Sequence, residues 1–104
     1  MSKILPEDAA VRKQIPIYSG FIKYFPRTIA AVAKVSFDGN QQHHPDLPLH
    51  WDRNKSKDHL DALSRHMLDE EWVQVVWRAA AHCEIYLEKL AEEEEKENEH
   101  IITD

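Results

Sequence analysis

Three of the seven histidines, His43, His44 and His50, share one stretch with Trp51 and with Arg53, Lys55 and Lys57, three cations at alternating positions. His59, Arg65 and His66 follow shortly after. Cations hold phosphate by charge-assisted hydrogen bonds, and imidazoles orient it. A flat indole face takes a stacked nucleobase, worth about 1–3 kcal/mol. The run Arg53-Asn-Lys-Ser-Lys57 leads into an expected helix start, with Ser56 as N-cap. Unpaired N–H groups and the positive dipole end make such a start an anion site. A phosphate site beside an aromatic platform is a nucleotide-binding arrangement, although many helices open on Lys-Ser-Lys for capping and solubility alone.

Other chemistries fit less well. Zinc helices place His at i, i+4, whereas His59 and His66 are i, i+7 with no cysteine near. A His-Asp metal phosphohydrolase wants His before Asp, and this chain has Asp58-His59. Mg²⁺-dependent pyrophosphohydrolysis needs clustered carboxylates. Glu70-Glu71 with Glu84, and Asp58 with Asp61, are the nearest approach. No Ser or Cys has a convincing base. The residues therefore assign no catalytic group and no metal ligand.

These side chains need elements to position them. Residues 39–57 have no periodicity, and irregular stretches this long are uncommon in small domains unless they bind something or are disordered. Leu47, Leu49 and Trp51 want burial, which opposes disorder. The stretch reads as an ordered binding loop, with a packed connection capping the core as the alternative. Pro6-Glu7-Asp8 predicts a short helix over about 6–14. Residues 16–25 read as an extended or turn-like segment packed on helices, carrying Tyr24 as a second stacking candidate. Pro26 opens a helix over 26–38, with Ile29, Val32, Ala33 and Phe37 on one face and Gly39 ending it. The next helix starts at Ser56, with Leu60, Leu63 and Met67 inward, His59 and His66 on one edge, and an Asp61–Arg65 pair outward. A break at Asp69-Glu70-Glu71 precedes a long helix carrying Trp72, Val73, Val76, Trp77, Ala80, Cys83, Leu87 and Leu90. Its wide apolar face implies burial on two sides, partly by another subunit. The expectation is an all-α fold: a small oligomeric helical bundle with one long loop.

Composition bounds the rest. At this length one domain is the default, here 1–91, and a modest core calls for partners or oligomerisation. The formal charge is −6, but the first 91 residues are balanced and the excess acid lies in 92–104, read as a fraying, solvated tail. A balanced body lacks the broad basic face of a duplex nucleic-acid binder. No apolar run reaches the roughly 20 residues of a membrane helix. Pro6, Glu7 and Asp8 interrupt any signal-peptide pattern. The single Cys83 forms no internal disulfide and reads as a small core residue in a reducing, cytosolic setting.

A linear series of motifs adds a family resemblance: Ile17-Tyr18-Ser19-Gly20, Lys23-Tyr24-Phe25-Pro26, Val35-Ser36 with Gly39-Asn40, Leu49-His50-Trp51-Asp52, Asp58-His59-Leu60-Asp61-Ala62-Leu63-Ser64-Arg65-His66 and Val76-Trp77-Arg78-Ala79. It resembles a phage family of dATP/dGTP diphosphohydrolase-like amino-terminal domains over about residues 14–87. The resemblance implies a phage source, the cytoplasm of an infected bacterium, a small helical fold and a purine nucleotide ligand. It also implies hydrolysis with Mg²⁺, for which the carboxylates here are thin. Phage proteins of similar size include sponges that sequester the cyclic nucleotide signals of bacterial immunity without cutting them, as homo-oligomers with sites between subunits. The expectation is a non-catalytic nucleotide-binding homo-oligomer, probing its ligand with Tyr24, His43, His44, His50, Trp51, Arg53, Lys55, Ser56, Lys57, His59, Arg65 and His66 and using no cofactor. A Mg²⁺-dependent deoxypurine pyrophosphohydrolase and a helical protein-interaction module are the alternatives.

Overall fold

A computed structural model describes residues 4–103, with side chains through Asn98. Among them there are helices and loops and no strand: α1 (Ala9–Arg12), a π-helical turn (Tyr18–Ile22), α2 (Pro26–His43), α3 (His59–Leu68) and α4 (Trp72–Thr103). The all-α expectation holds, and several boundaries move for identifiable reasons.

The first helix is a single turn. Asp8 caps it, its carboxylate accepting the Val11 N–H at 3.3 Å. The aromatic stretch expected to be extended instead winds into the π turn, closed by the Lys23 N–H donating to the Tyr18 carbonyl at 2.8 Å and preceded by the Gly20 N–H donating to the Pro16 carbonyl at 2.7 Å. A Cβ on Gly20 would stand 3.0 Å from the Pro16 ring, closer than an ordinary contact, so glycine spares that ring a shift of a few tenths of an ångström. Pro26 opens α2 as expected. Gly39 does not end α2: it takes ordinary helical backbone, and the helix runs on to His43. It stops at His44 (φ −142°), the residue before Pro45, where the proline ring disfavours helical backbone.

The helix after the loop begins at His59, with Asp58 rather than Ser56 at the N-cap position. Ser56 is engaged elsewhere, donating its hydroxyl to the Asp58 carboxylate at 3.0 Å. The break at 69–71 is a Schellman closure. Glu70 N–H donates to the Met67 carbonyl at 3.1 Å and Glu71 N–H to the His66 carbonyl at 2.9 Å, with Glu70 left-handed at φ 57°. Continuing through residues 92–103, α4 makes the stretch read as a fraying tail helical, with exposed side chains over 92–98; Asp104 lies outside the described residues.

The buried edge of α3 differs from the expected one. His59, Ala62, Leu63 and His66 turn inward, while Leu60 and Met67 are exposed. α3 packs chiefly on α4, and α2 packs on α4 as well. Among the described residues, Ala62 (4% exposed) and Ala81 (5%) are the buried apolar ones. Small residues at a helix crossing allow close approach, which selects the alanine edge over the leucine one. Cys83 is exposed, not a core residue.

Little else is covered. Phe21, Phe25, Phe37, Trp72, Val76, Tyr86 and Leu87 are all exposed. The radius of gyration is 17.2 Å, against about 13 Å for a compact domain of this length. The accessible surface is 8970 Å², whereas a compact monomer of this mass exposes roughly 6,000 Å². Part of the surplus is the projecting end of α4; the rest includes an apolar groove between α2 and α4.

Candidate functional site

The C-terminal half of α2, the loop 44–58, one edge of α3 and the first turns of α4 line an open cavity of about 820 Å³. That is within the ~300–1,000 Å³ range of small-molecule sites. Nine of the twelve sequence-nominated residues line it: His43, His44, His50, Trp51, Lys55, Ser56, Lys57, His59 and His66. Tyr24 does not; it is 68% exposed and packs edge-on against Phe25. Arg53 and Arg65 are near but turned to other work.

The loop is held at both ends. Asn40, on the last turns of α2, donates from Nδ2 to the Leu47 carbonyl at 3.1 Å and to the His44 carbonyl at 3.4 Å. His50 donates from Nδ1 to the Pro48 carbonyl at 2.9 Å. Farther along, Arg53 lies over the Trp51 ring at 4.5 Å and pairs with Glu88 of α4. Arg53 thus clamps Trp51 onto α4 and does not face the cavity. Trp51 meets Trp77 edge to face at 6.0 Å, and the Trp77 indole N–H donates to Ser36 Oγ at 2.8 Å. The two tryptophans and Ser36 line both the polar cavity and the apolar α2/α4 groove, itself about 690 Å³.

Arg78 crosses the Trp77 ring and reaches the start of α3. Its guanidinium donates to Ser56 Oγ at 2.9 Å and to His59 Nδ1 at 3.1 Å. Guanidinium has no acceptor, so His59 Nδ1 must accept and Nε2 carries the proton. Burial, and then the Arg78 charge, push the His59 pKa below its usual value. His59 is therefore neutral at pH 7. Asp58 is the opposite case. Hydrogen bonds from Arg65 (3.0 Å) and Ser56 hold its carboxyl below the usual range. Arg65 was expected to pair with Asp61, but its bond goes to Asp58. A carboxylate thus stands at the start of α3, where a phosphate was expected.

Among the described residues, three buried side-chain polar atoms lack a hydrogen-bond partner: Asn40 Oδ1, His44 Nε2 and His59 Nε2. His44 Nε2 lies 3.9 Å from Asp52, an ion-pair distance too long for a hydrogen bond. Asn40 (8% exposed) and His59 (6%) have no such neighbour. His66 donates from Nδ1 to Glu71 at 2.9 Å. Lys55 and Lys57 are exposed on the loop and have no ion-pair partner among the described residues. No group of three or more His, Cys, Asp or Glu among the described residues is arranged to hold a metal ion.

Asn40, Trp77 and Arg78 are among the cavity residues that were not nominated as site residues from sequence. The available signal was an arginine beside a tryptophan on an apolar helix, a cation that must find a partner when buried. Asn40 had no such signal, because its role depends on where the loop returns. Comparison of the chain with protein-family models, curated proteins and solved structures returns no match.

Proposed function

We propose that the chain binds a purine nucleotide in the 820 Å³ cavity and releases it unchanged, as part of a homo-oligomer. The observation that carries this reading is one cavity joining the Trp51–Trp77 wall to the unpaired lysines Lys55 and Lys57. An indole stacks a base, and free ammonium groups hold phosphate. Of the carboxylates lining the cavity, Asp58 is already held by Arg65 and Ser56, and Asp52 stands 3.9 Å from His44 Nε2. The exposed apolar side chains and surplus surface support assembly with further copies. The family resemblance would put such a binder in a phage-infected bacterium, where holding cyclic dinucleotides would blunt nucleotide-signalled defence.

A Mg²⁺-dependent pyrophosphohydrolase is the second reading, favoured by Asp52 and Asp58 lining the cavity. The described residues do not fit a Mg²⁺ cage, for which several free carboxylate oxygens are needed. One experiment separates the two. Incubate the protein with Mg²⁺ and a panel of cyclic dinucleotides, dATP and dGTP, heat-denature it, and analyse the supernatant. Intact ligand recovered from the protein supports the binder, whereas monophosphate and pyrophosphate sink it. Lys55→Ala and Trp51→Ala each weaken binding at least tenfold while the circular dichroism spectrum stays helical; unchanged affinity in both removes the site.

A further inference from the structure

We infer that the nucleotide enters base first: Asn40 Oδ1 and the His59 Nε2–H read an N–H donor and a neighbouring acceptor on the base edge, and the phosphates stay outside at Lys55 and Lys57. This rests on the nucleotide-binding reading and adds orientation and edge selectivity to it.

The inference begins with two polar groups that are more than nine-tenths buried and line the same cavity. An unpaired buried polar atom is costly, so two on residues that line one cavity mark where a ligand bonds. Their polarities follow from their neighbours. Asn40 gives its amide N–H groups to two carbonyls, which settles the amide orientation and leaves Oδ1, an acceptor. His59 accepts from Arg78 at Nδ1, which settles the tautomer and leaves Nε2–H, a donor. The cavity therefore offers one unpaired acceptor, from α2, and one unpaired donor, from α3. A phosphate has acceptors only, and the Asn40 lone pairs and the Asp58 carboxylate at the start of α3 both repel it. A nucleobase edge with an N–H beside an acceptor satisfies both groups. The amine and ring nitrogen of adenine form one such edge, and the ring N–H and carbonyl of guanine form the other. The Trp51–Trp77 wall supplies the adjoining apolar surface. The lysines lie on the exposed loop, where a trailing phosphate stays solvated.

The test is calorimetric titration of the full chain with dATP, dGTP, the purine deoxyriboside triphosphate that has hydrogen in place of the 6-amino group, and inorganic tripolyphosphate. The better of dATP and dGTP identifies which edge is read. It is expected to bind at least about tenfold tighter than the unsubstituted purine, since the lost bond leaves Asn40 Oδ1 unpaired. The purine in turn outbinds tripolyphosphate. His59→Phe narrows the margin between nucleotide and tripolyphosphate but leaves tripolyphosphate affinity unchanged. If the unsubstituted purine equals both nucleotides, water serves the two buried groups and the inference fails. Tripolyphosphate binding as tightly as the nucleotides overturns it too, while leaving a phosphate-binding cavity. If no nucleotide binds, the underlying reading falls and this one with it.

Discussion

His59 is where residue chemistry and fold stability meet. It is buried, accepts from Arg78 and is held neutral, so its pKa is lower folded than unfolded. The unfolded chain then binds the extra proton first, and stability falls as pH drops. The contribution is whole above the unfolded value near 6.5 and is lost as pH falls through the folded value. Urea unfolding is expected to give a lower midpoint at pH 5.5 than at pH 7.5, and His59→Gln a smaller difference between the two. An unchanged difference would clear His59 of this role. The identity of this residue was legible in the sequence as a histidine on the inner edge of α3. Its function was not: it was read as orienting phosphate, and only the position of Arg78, nineteen residues later, settles its tautomer. Arg53 shows the converse. Its charge marked it for phosphate, yet Glu88 and the Trp51 face hold it.

Two helix positions carry element-scale predictions. Gly39 sits inside α2 in ordinary helical backbone, and a Cβ there meets nothing within 4 Å. Gly39→Ala is expected to stabilise the fold by about 0.5–1 kcal/mol, seen as a raised Tm. A fall in Tm would mean that the space is used by ligand or partner. Glu70 occupies the left-handed position after α3, where a side chain is strained. Glu70→Gly is expected to stabilise by about 1 kcal/mol or less, part of the relief being offset by unfolded-chain entropy. The elements themselves were readable: Pro26, the acid run at 69–71 and the long apolar periodicity each mark a real boundary or helix. The errors came from residues whose local preference yields to a neighbour. Gly39 suggested an end that Pro45 supplies, and Ser56 suggested a cap but spends its hydroxyl on Asp58. The inner face of α3 was placed on its leucines, because periodicity weighs hydrophobicity and the helix crossing selects small size.

At the scale of the whole molecule, the sequence signalled a protein too thinly cored to stand alone, and the exposed aromatics fit that signal. Sedimentation at micromolar concentration is expected to show an oligomer. Val76→Lys, on the exposed wall of the α2/α4 groove, should shift it toward monomer and lower Tm by several degrees. A monomer with unaltered Tm in the unmodified protein would end the assembly reading. What no sequence pattern announced is that Trp51, Trp77 and Ser36 belong to two compartments at once. An event on either side of that partition reaches the other through the same two rings. On the proposed reading, any coupling between occupancy and association would be reciprocal: if ligand tightened the assembly, assembly would tighten ligand by the same factor. Dilution would then loosen the grip on a bound guest, and indole fluorescence would follow both transitions through Trp51 and Trp77, over the emission of Trp72.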